Sequence, residues 1–471
     1  MRNDICDRRD ASLFLDSTER QRWDDFLTRE LAAAQERVVA GSVVPTIDQG
    51  AFGAALADFD FKAPRAPEQL LCWTIAQLEH GLVHITHPRY FGLFNPGPTT
   101  PSQWADRIAA TFNPQLATWT TSPAAVAIES HVIRAVAGRA GLAGNPSGHF
   151  TTGGAEANQT ALVCALTRSN PGFAAEGARA FGGPAVLYAS KDCHLAWIKI
   201  AHQSGIGRSA VRLIRTDESG RMDLRSLADT IAADRREGCV PVMVVATAGT
   251  TNAGMIDPLP ACAALARSVG AWFHVDAAWG GGLIASERLR HSLAGIEEAD
   301  SITIDAHKWF ATTMGCGMFL TRHREVLSVA FDVSTGYMPS HTRDLDPYVT
   351  TMQWSRRFLG LRLFLSLGAA GWDGYAGHVE HAVELAAMLG AELVARNWRI
   401  LNQSPLAVLC LEPPPGSPDV RSIVGRVLAS GRAWVSVATF QGRDVLRACV
   451  THGETTADDI GILVETLTEA L

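Results

Sequence analysis

Residues 301–308 read SITIDAHK: a short alternating apolar run that ends on Asp305, with Lys308 three residues beyond it. The pattern reads as a buried strand followed by a loop, the place where open α/β sheets hold their ligands. Lysine becomes a Schiff-base former only as the neutral amine, which burial or nearby positive charge favours. His307 and the buried strand end supply such a setting. A lysine after a strand is more often a solvated loop residue, so the stretch acquires meaning only from its neighbours.

Working outward, strands are expected at Ala185–Ser190, Val211–Ile214, Pro241–Thr247, Ala271–Asp276, Ser301–Asp305 and Cys316–Leu320. Helical patterns at Leu224–Glu237 and Pro260–Val269 separate several of them. This alternation predicts a mainly parallel sheet covered on both faces. Before it, residues 17–40 have the spacing and Ser/Thr start of one or two amphipathic helices. The stretch HPRYFGLFNPGPTTP (87–101) is expected to be irregular, because its prolines remove donors and bias preceding residues away from helix. From about residue 370 the pattern is helical, with short strands near Trp434–Thr439 and Val445–Val450. No internal repeat or low-complexity tract interrupts the chain.

Four further segments place chemistry at strand ends or helix starts. In WFHVDAAWGGG (272–282) an apolar strand runs up to Asp276. A buried carboxylate needs a positive partner; a protonated pyridine nitrogen is one, while a helix cap or a metal are the ordinary others. In TTGGAEA (151–157) a Gly-Gly turn opens an apolar helix and offers backbone donors to an anion, or simply makes a turn. YASKDCH (188–194) ends on His194, which has the shape to stack on an aromatic ring, though most lone histidines are surface residues. ATAGTTN (246–252) brings hydroxyls and a glycine to another strand end. The order is phosphate turn, stacking histidine, hydroxyl loop, Asp276 and then Lys308. That order carries more weight than any single element.

Composition narrows the classes. A net charge of −7 argues against a nucleic-acid partner. Nine cysteines, scattered singly and odd in number, fit a reducing compartment. The N-terminal MRNDICDRRDASLFLD lacks the apolar core of a signal peptide, and no stretch approaches a membrane span. A cytoplasmic protein is expected. The dinucleotide turn and the Gly-Lys-Ser/Thr pair are both missing, and so are ligand-spaced histidines; no metal is expected.

With HPRYFG, WTTSPAAVAIE (119–129), TTGGAEAN, ATAGTT, HVDAAWGG, DAHKW and SRRF (355–358) in this order, the chain closely resembles the group II pyridoxal-phosphate decarboxylases from about residue 70 onward. These include enzymes acting on aromatic amino acids, glutamate, histidine and diaminobutyrate. The resemblance implies an aspartate aminotransferase-like α/β fold (fold type I) with a mainly parallel seven-stranded sheet. It implies an N-terminal helical segment (1–98) packing on a partner subunit, a large cofactor domain (99–365) and a small α+β domain (366–471). The cofactor implied is pyridoxal 5'-phosphate, with Lys308 as its Schiff-base lysine and Asp276 as the partner of its ring nitrogen. His194 matches the residue stacked on the ring. Gly154 and Ala155 match the backbone amides at the phosphate, Thr251 and Ala278 match contacts near the ring, and His307 is the histidine before the lysine. Tyr337 aligns with a tyrosine that helps protonate the substrate α-carbon from a loop completing the neighbouring subunit's site, so a homodimer with shared sites is implied.

Three departures bear on the substrate. Asp305 stands where aromatic decarboxylases have an asparagine that touches the phosphate; an aspartate would be repelled, so that contact is not expected. Leu93 and Ala117 replace aromatic side chains of the substrate pocket, while Phe94 remains. Ser355 replaces a glycine near the substrate ring. The expected reaction is decarboxylation of an L-α-amino acid. An aminotransferase, a carbon–carbon lyase or a decarboxylation-dependent oxidase would use the same lysine and aspartate. Arg447, in LRACV, is a candidate carboxylate ligand or an ordinary core-edge arginine.

Overall fold

Period-two alternation sorts the side chains of the central sheet onto two buried faces. In the strand Ala185–Ser190, Val186 and Tyr188 enter one core while Ala185, Leu187 and Ala189 enter the other. A strand buried on both sides needs helices on both sides. The computed structural model describes residues 14–45, 47–333 and 346–471.

The large sheet has seven strands: β1 (Ser147–Thr151), β2 (Ala185–Ser190), β3 (Val211–Ile214), β4 (Val240–Thr247), β5 (Trp272–Asp276), β6 (Ser301–Asp305) and β7 (Gly317–Thr321). Their spatial order is β1-β7-β6-β5-β4-β2-β3. All neighbours are parallel except β7, which runs antiparallel to both β1 and β6. The mainly parallel sheet expected from the sequence is present, and the expected strands lie within one residue of their observed bounds. The first strand, SGHFT, was not expected. It is short, and Gly148 and His149 break its apolar alternation.

Three helices precede the sheet: α1 (Ser17–Ala40), α2 (Gln49–Ala57) and α3 (Pro67–Gly81). Residues 17–40 form one helix, started by the Asp16 carboxylate accepting the N–H groups of Thr18 and Glu19. Among these helices only Ala34 is buried. Next come α4 (Thr100–Phe112), α5 (Pro123–Arg139) and α6 (Gly154–Ser169). Helix α6 lies on the sheet face that carries Trp272, Val245 and Phe319, burying Ala157, Ala161, Leu162 and Ala165.

The chain then passes through a long helix, Gly360–Val394, kinked where Gly371 takes φ 65. Beyond it β8 (Arg399–Ile400), β9 (Val408–Glu412), β10 (Ser436–Phe440) and β11 (Arg443–Cys449) form a second sheet in the order β10-β11-β9-β8, antiparallel throughout. This matches the α+β character read from the C-terminal sequence. Among the described residues no helix is long and apolar enough to cross a membrane.

Candidate active site

On the α6 face, β5 and β6 turn polar side chains inward: His274 and Asp276 from one, Ser301, Thr303 and Asp305 from the other, every one of them at most 4% exposed. Their apolar neighbours Phe273, Val275, Ile302 and Ile304 fill the opposite core. Burying five polar groups is tolerable only when each finds partners. Those partners and the strand ends define the site.

Asp276 closes β5. Its Oδ2 accepts from Asn158 Nδ2 at 2.8 Å, and its Oδ1 accepts the backbone N–H of Ala278 at 3.2 Å. Asp305 closes β6 and lies 3.1 Å from Lys308 Nζ through Oδ2, with His307 Nε2 3.8 Å from the same oxygen. Among the described residues its Oδ1 is buried without a partner. The His307 ring is tied back, its Nδ1 3.0 Å from the Cys316 carbonyl.

The start of α6 completes the cleft. Gly153 occupies the cap position without any side-chain hydrogen bond to the first turn, so the helix opens with backbone donors. A Cβ at Gly154 would lie 3.0 Å from Asp305 Oδ2 and 3.4 Å from Ala278 Cβ. A Cβ at Gly317, paired with Asp305 across β6 and β7, would come within 2.8 Å of Asp305 Oδ1. Glycine at these positions is what lets the helix start meet both strand ends.

An aromatic wall flanks the lysine. Lys308 Nζ sits 5.6 Å from the ring centre of Phe94, which stacks on Trp279 at 4.0 Å; Trp279 in turn packs on Trp309 at 5.1 Å. On Phe94 also lies the Arg447 guanidinium, 4.6 Å from the ring centre. Arg447 is 2% exposed. Its Nε donates to the Thr251 carbonyl at 3.0 Å, Nη1 donates to the Gly92 carbonyl, and Nη2 is buried with no partner among the described residues. The guanidinium thus joins the loop of Thr251 to the loop of Phe94.

Gly154, Ala278, Asp305, His307, Lys308 and Phe94 therefore come together, and Asp276 is joined to Ala278. Thr251 enters through Arg447. His194 follows β2 with an exposed ring whose Nδ1 accepts the N–H of Ala196 at 3.3 Å, and Ala155 is exposed on the first turn of α6. Leu93 is 47% exposed, and Ser355 is exposed beside the buried Arg356. Ala117 is buried, its carbonyl accepting from Tyr348 N at 3.1 Å. Tyr337 lies outside the described residues.

Two site residues were missed in the sequence. Asn158 is four residues after Gly154, one turn along α6, and His274 precedes Asp276 by two, on the same strand face. Both offsets were available, since period 3.6 and period two place them beside residues already singled out.

The residues present fit pyridoxal 5'-phosphate. An uncapped helix start suits its phosphate, a buried carboxylate with lone pairs to spare suits its protonated ring nitrogen, and an amine stands at the end of the neighbouring strand. The meeting of Gly154, Ala278 and Asp305 puts all three within one cleft.

Comparison with known proteins agrees. The pyridoxal-dependent decarboxylase conserved domain matches residues 54–410. An L-2,4-diaminobutyrate decarboxylase of Rhizobium meliloti (strain 1021) is 36% identical over 300 residues, covering 63% of this chain and 59% of that enzyme, so the match spans about three fifths of that relative. A cysteine sulfinic acid decarboxylase of Mus musculus is 34% identical over 346 residues, 72% of this chain and 69% of the relative. A crystal structure of mouse CSAD in apo form superposes with a TM-score of 0.90 at 26% identity, covering 97% of this chain and 99% of that one.

Proposed function

This chain belongs to the pyridoxal-dependent decarboxylase family as a pyridoxal-phosphate-dependent amino acid carboxy-lyase, and from that premise we propose how its residues divide the work. Lys308 holds the cofactor's aldehyde carbon, Asp276 faces its ring nitrogen, and the N–H groups of Gly154 and Ala155 hold its phosphate. The observation that carries this assignment is the convergence of the α6 start, Ala278 and the Asp305–Lys308 segment in one cleft, with Asp276 two residues before Ala278.

Bound there, pyridoxal 5'-phosphate supplies an electron sink for the pair released as CO2 leaves. The chain's part is to bind, orient and move protons. The Asp276 carboxylate keeps the ring nitrogen protonated. His194 would stack on the cofactor ring, and Thr251, Ala278 and His307 would help to hold it. Tyr337 or His194 would assist in returning a proton to the substrate α-carbon after CO2 is lost. Phe94, Leu93 and Ser355 shape the substrate pocket.

The substrate we propose is a short aliphatic L-α-amino acid with a polar side chain. The relatives above 30% identity described above are named for diaminobutyrate and cysteine sulfinate, and Leu93 and Ala117 replace side chains that grip an aromatic substrate. Arg447, with Nη2 buried and unpartnered beside Phe94, is the cation available to a substrate carboxylate.

A homodimer with shared sites and cytoplasmic residence complete the reading. In their favour, α1–α3 bury almost nothing within one chain while exposing Leu31, Leu78 and Leu82, and all eight described cysteines are free. The proposed unit boundaries, 1–98, 99–365 and 366–471, place the start of the helix Gly360–Val394 in the large domain. CO2 release from a panel of diaminobutyrate, cysteine sulfinate, aspartate, glutamate, dopa and tryptophan tests the function. CO2 with the matching amine from one of the first four supports it; keto acid or aldehyde as the product contradicts it.

A further inference from the structure

Behind Asp276 runs a line of four hydrogen bonds through buried side chains. Trp272 Nε1 is 2.8 Å from Ser301 Oγ; Ser301 Oγ is 2.8 Å from His274 Nδ1; His274 Nε2 is 3.0 Å from Asn158 Oδ1; and Asn158 Nδ2 is 2.8 Å from Asp276 Oδ2. None of the five residues is more than 4% exposed.

The direction of every bond follows from its ends. An indole N–H only donates, so Ser301 Oγ accepts from Trp272 and its own proton is free for His274 Nδ1. At the other end an ionised carboxylate only accepts, so Asn158 turns its NH2 to Asp276 and its oxygen to His274. Both arguments require the same imidazole, neutral and protonated on Nε2. Burial favours that state, pushing His274 down from its usual 6.5 to about 4 against the opposing pull of Asp276. Trp197 packs edge-on against the ring at 5.5 Å and 71° and holds its plane. Thr303 Oγ1 lies 3.4 Å from Nε2, and the Ser301 backbone also interacts with the ring.

We propose that Asn158 and His274 are positioning residues whose one-way hydrogen-bond chain, begun at Trp272 and Ser301, fixes the Asp276 carboxylate as an oriented anion toward the cofactor's ring nitrogen. Each dipole in the chain points its positive end at Asp276, and aligned bonds in a buried setting strengthen one another. The carboxylate keeps its charge and its rotamer while retaining lone pairs for the nitrogen. Outer partners of this kind set ligand orientation and basicity at metal sites, where removing one costs about 10–100-fold in affinity.

The inference rests on the assignment of Asp276 to the ring nitrogen, and its test separates the two. Holoenzyme is loaded with cofactor carrying 15N in the ring; the nitrogen chemical shift, cofactor affinity and thermal unfolding are measured for wild type, Asn158→Ala, His274→Leu, His274→Gln, Ser301→Ala and Asp276→Asn. The chain predicts that Asn158→Ala moves the nitrogen signal toward its unprotonated position and weakens cofactor binding by about 10–100-fold. His274→Leu moves the signal the same way by less and Ser301→Ala by least, whereas His274→Gln, which keeps a donor for Asn158, stays near wild type. Folded Asn158→Ala and His274→Leu proteins with wild-type signal and affinity overturn the chain. If either fails to fold, Ser301→Ala decides, because it cuts the line by one hydroxyl far from Asp276: an unmoved signal counts against the proposal. Should Asp276→Asn itself leave the signal in place, the assignment of Asp276 fails instead.

Discussion

Lys308 Nζ lies 3.1 Å from Asp305 Oδ2, while the second Asp305 oxygen is buried against the start of α6 with no partner among the described residues. This carboxylate therefore stands between the amine that would hold the cofactor and the helix start that would hold its phosphate. A fixed negative charge there opposes a phosphate dianion. Asp305→Asn is expected to strengthen cofactor retention by about fivefold to thirtyfold, one charge interaction of roughly 1–2 kcal/mol at an effective dielectric near 20. Equilibrium titration of apoenzyme with cofactor measures it; weaker retention would show that Asp305 serves the lysine more than it repels the phosphate.

Arg447 bridges the Thr251 and Gly92 carbonyls and keeps Nη2 for a further acceptor. Arg447→Lys cannot span both loops and offer a third donor. Loss of one charged hydrogen bond, about 1.5–3 kcal/mol, should lower kcat/KM by roughly 10–100-fold, mostly through KM. An unchanged KM for every substrate in the panel would remove Arg447 from the substrate site.

Away from the cleft, Arg356 and Glu129 form a buried pair at 3.2 Å. Glu129 Oε1 also accepts the Gly360 N–H at 2.9 Å, and Arg356 donates to the Phe150 carbonyl at 3.1 Å. Burial raises the Glu129 pKa while Arg356 pulls it down. Arg356→Met leaves the carboxylate buried alone and should cost about 3–5 kcal/mol in denaturant unfolding, much of it recovered when Glu129→Leu is added. A double variant no better than the single would contradict this.

Several buried histidines make stability depend on pH. Burial lowers His149 to about 3, and His274 and His378 to about 4, from an ordinary 6.5. Between those values and 6.5 the unfolded chain binds protons that the folded chain refuses, so stability is full above pH 6.5 and falls as pH drops toward 4. Each ring should cost about 2 kcal/mol between pH 7 and pH 5. Asp257, raised by burial to about 6, acts in the opposite sense and returns roughly 1 kcal/mol over the same range. The net expectation is a urea midpoint that falls from pH 7 to pH 5; a constant midpoint would show that these rings are not neutral in the fold.

How far the sequence reaches can be judged residue by residue. β2, β3 and β6 were legible to their last residue because each is a short apolar run bounded by turn residues. β1 was not, since Gly148 and His149 hide its alternation and its pairing with β7 depends on residues 170 positions away. The placement of Asp276 at the end of β5, of Gly154 at the start of α6 and of Lys308 just beyond β6 was legible because the apolar runs end or begin there. Asn158 and His274 look like ordinary interior residues, and only the packing of α6 on β5 reveals that they meet. Arg447 was left open between a ligand and a core-edge residue; its burial and its orphaned nitrogen come from a fold contact across 196 residues.

The proposed activity depends on a covalent bond between the cofactor's aldehyde carbon and the amine three residues beyond β6. Borohydride reduction of the holoenzyme, followed by proteolysis and mass spectrometry of the modified peptide, reads it directly. The expected result is a pyridoxyl group on Lys308 in the peptide containing DAHKW, with loss of the visible absorbance in Lys308→Ala. A reduced adduct on any other lysine, or an active holoenzyme with Lys308 unmodified, would contradict it.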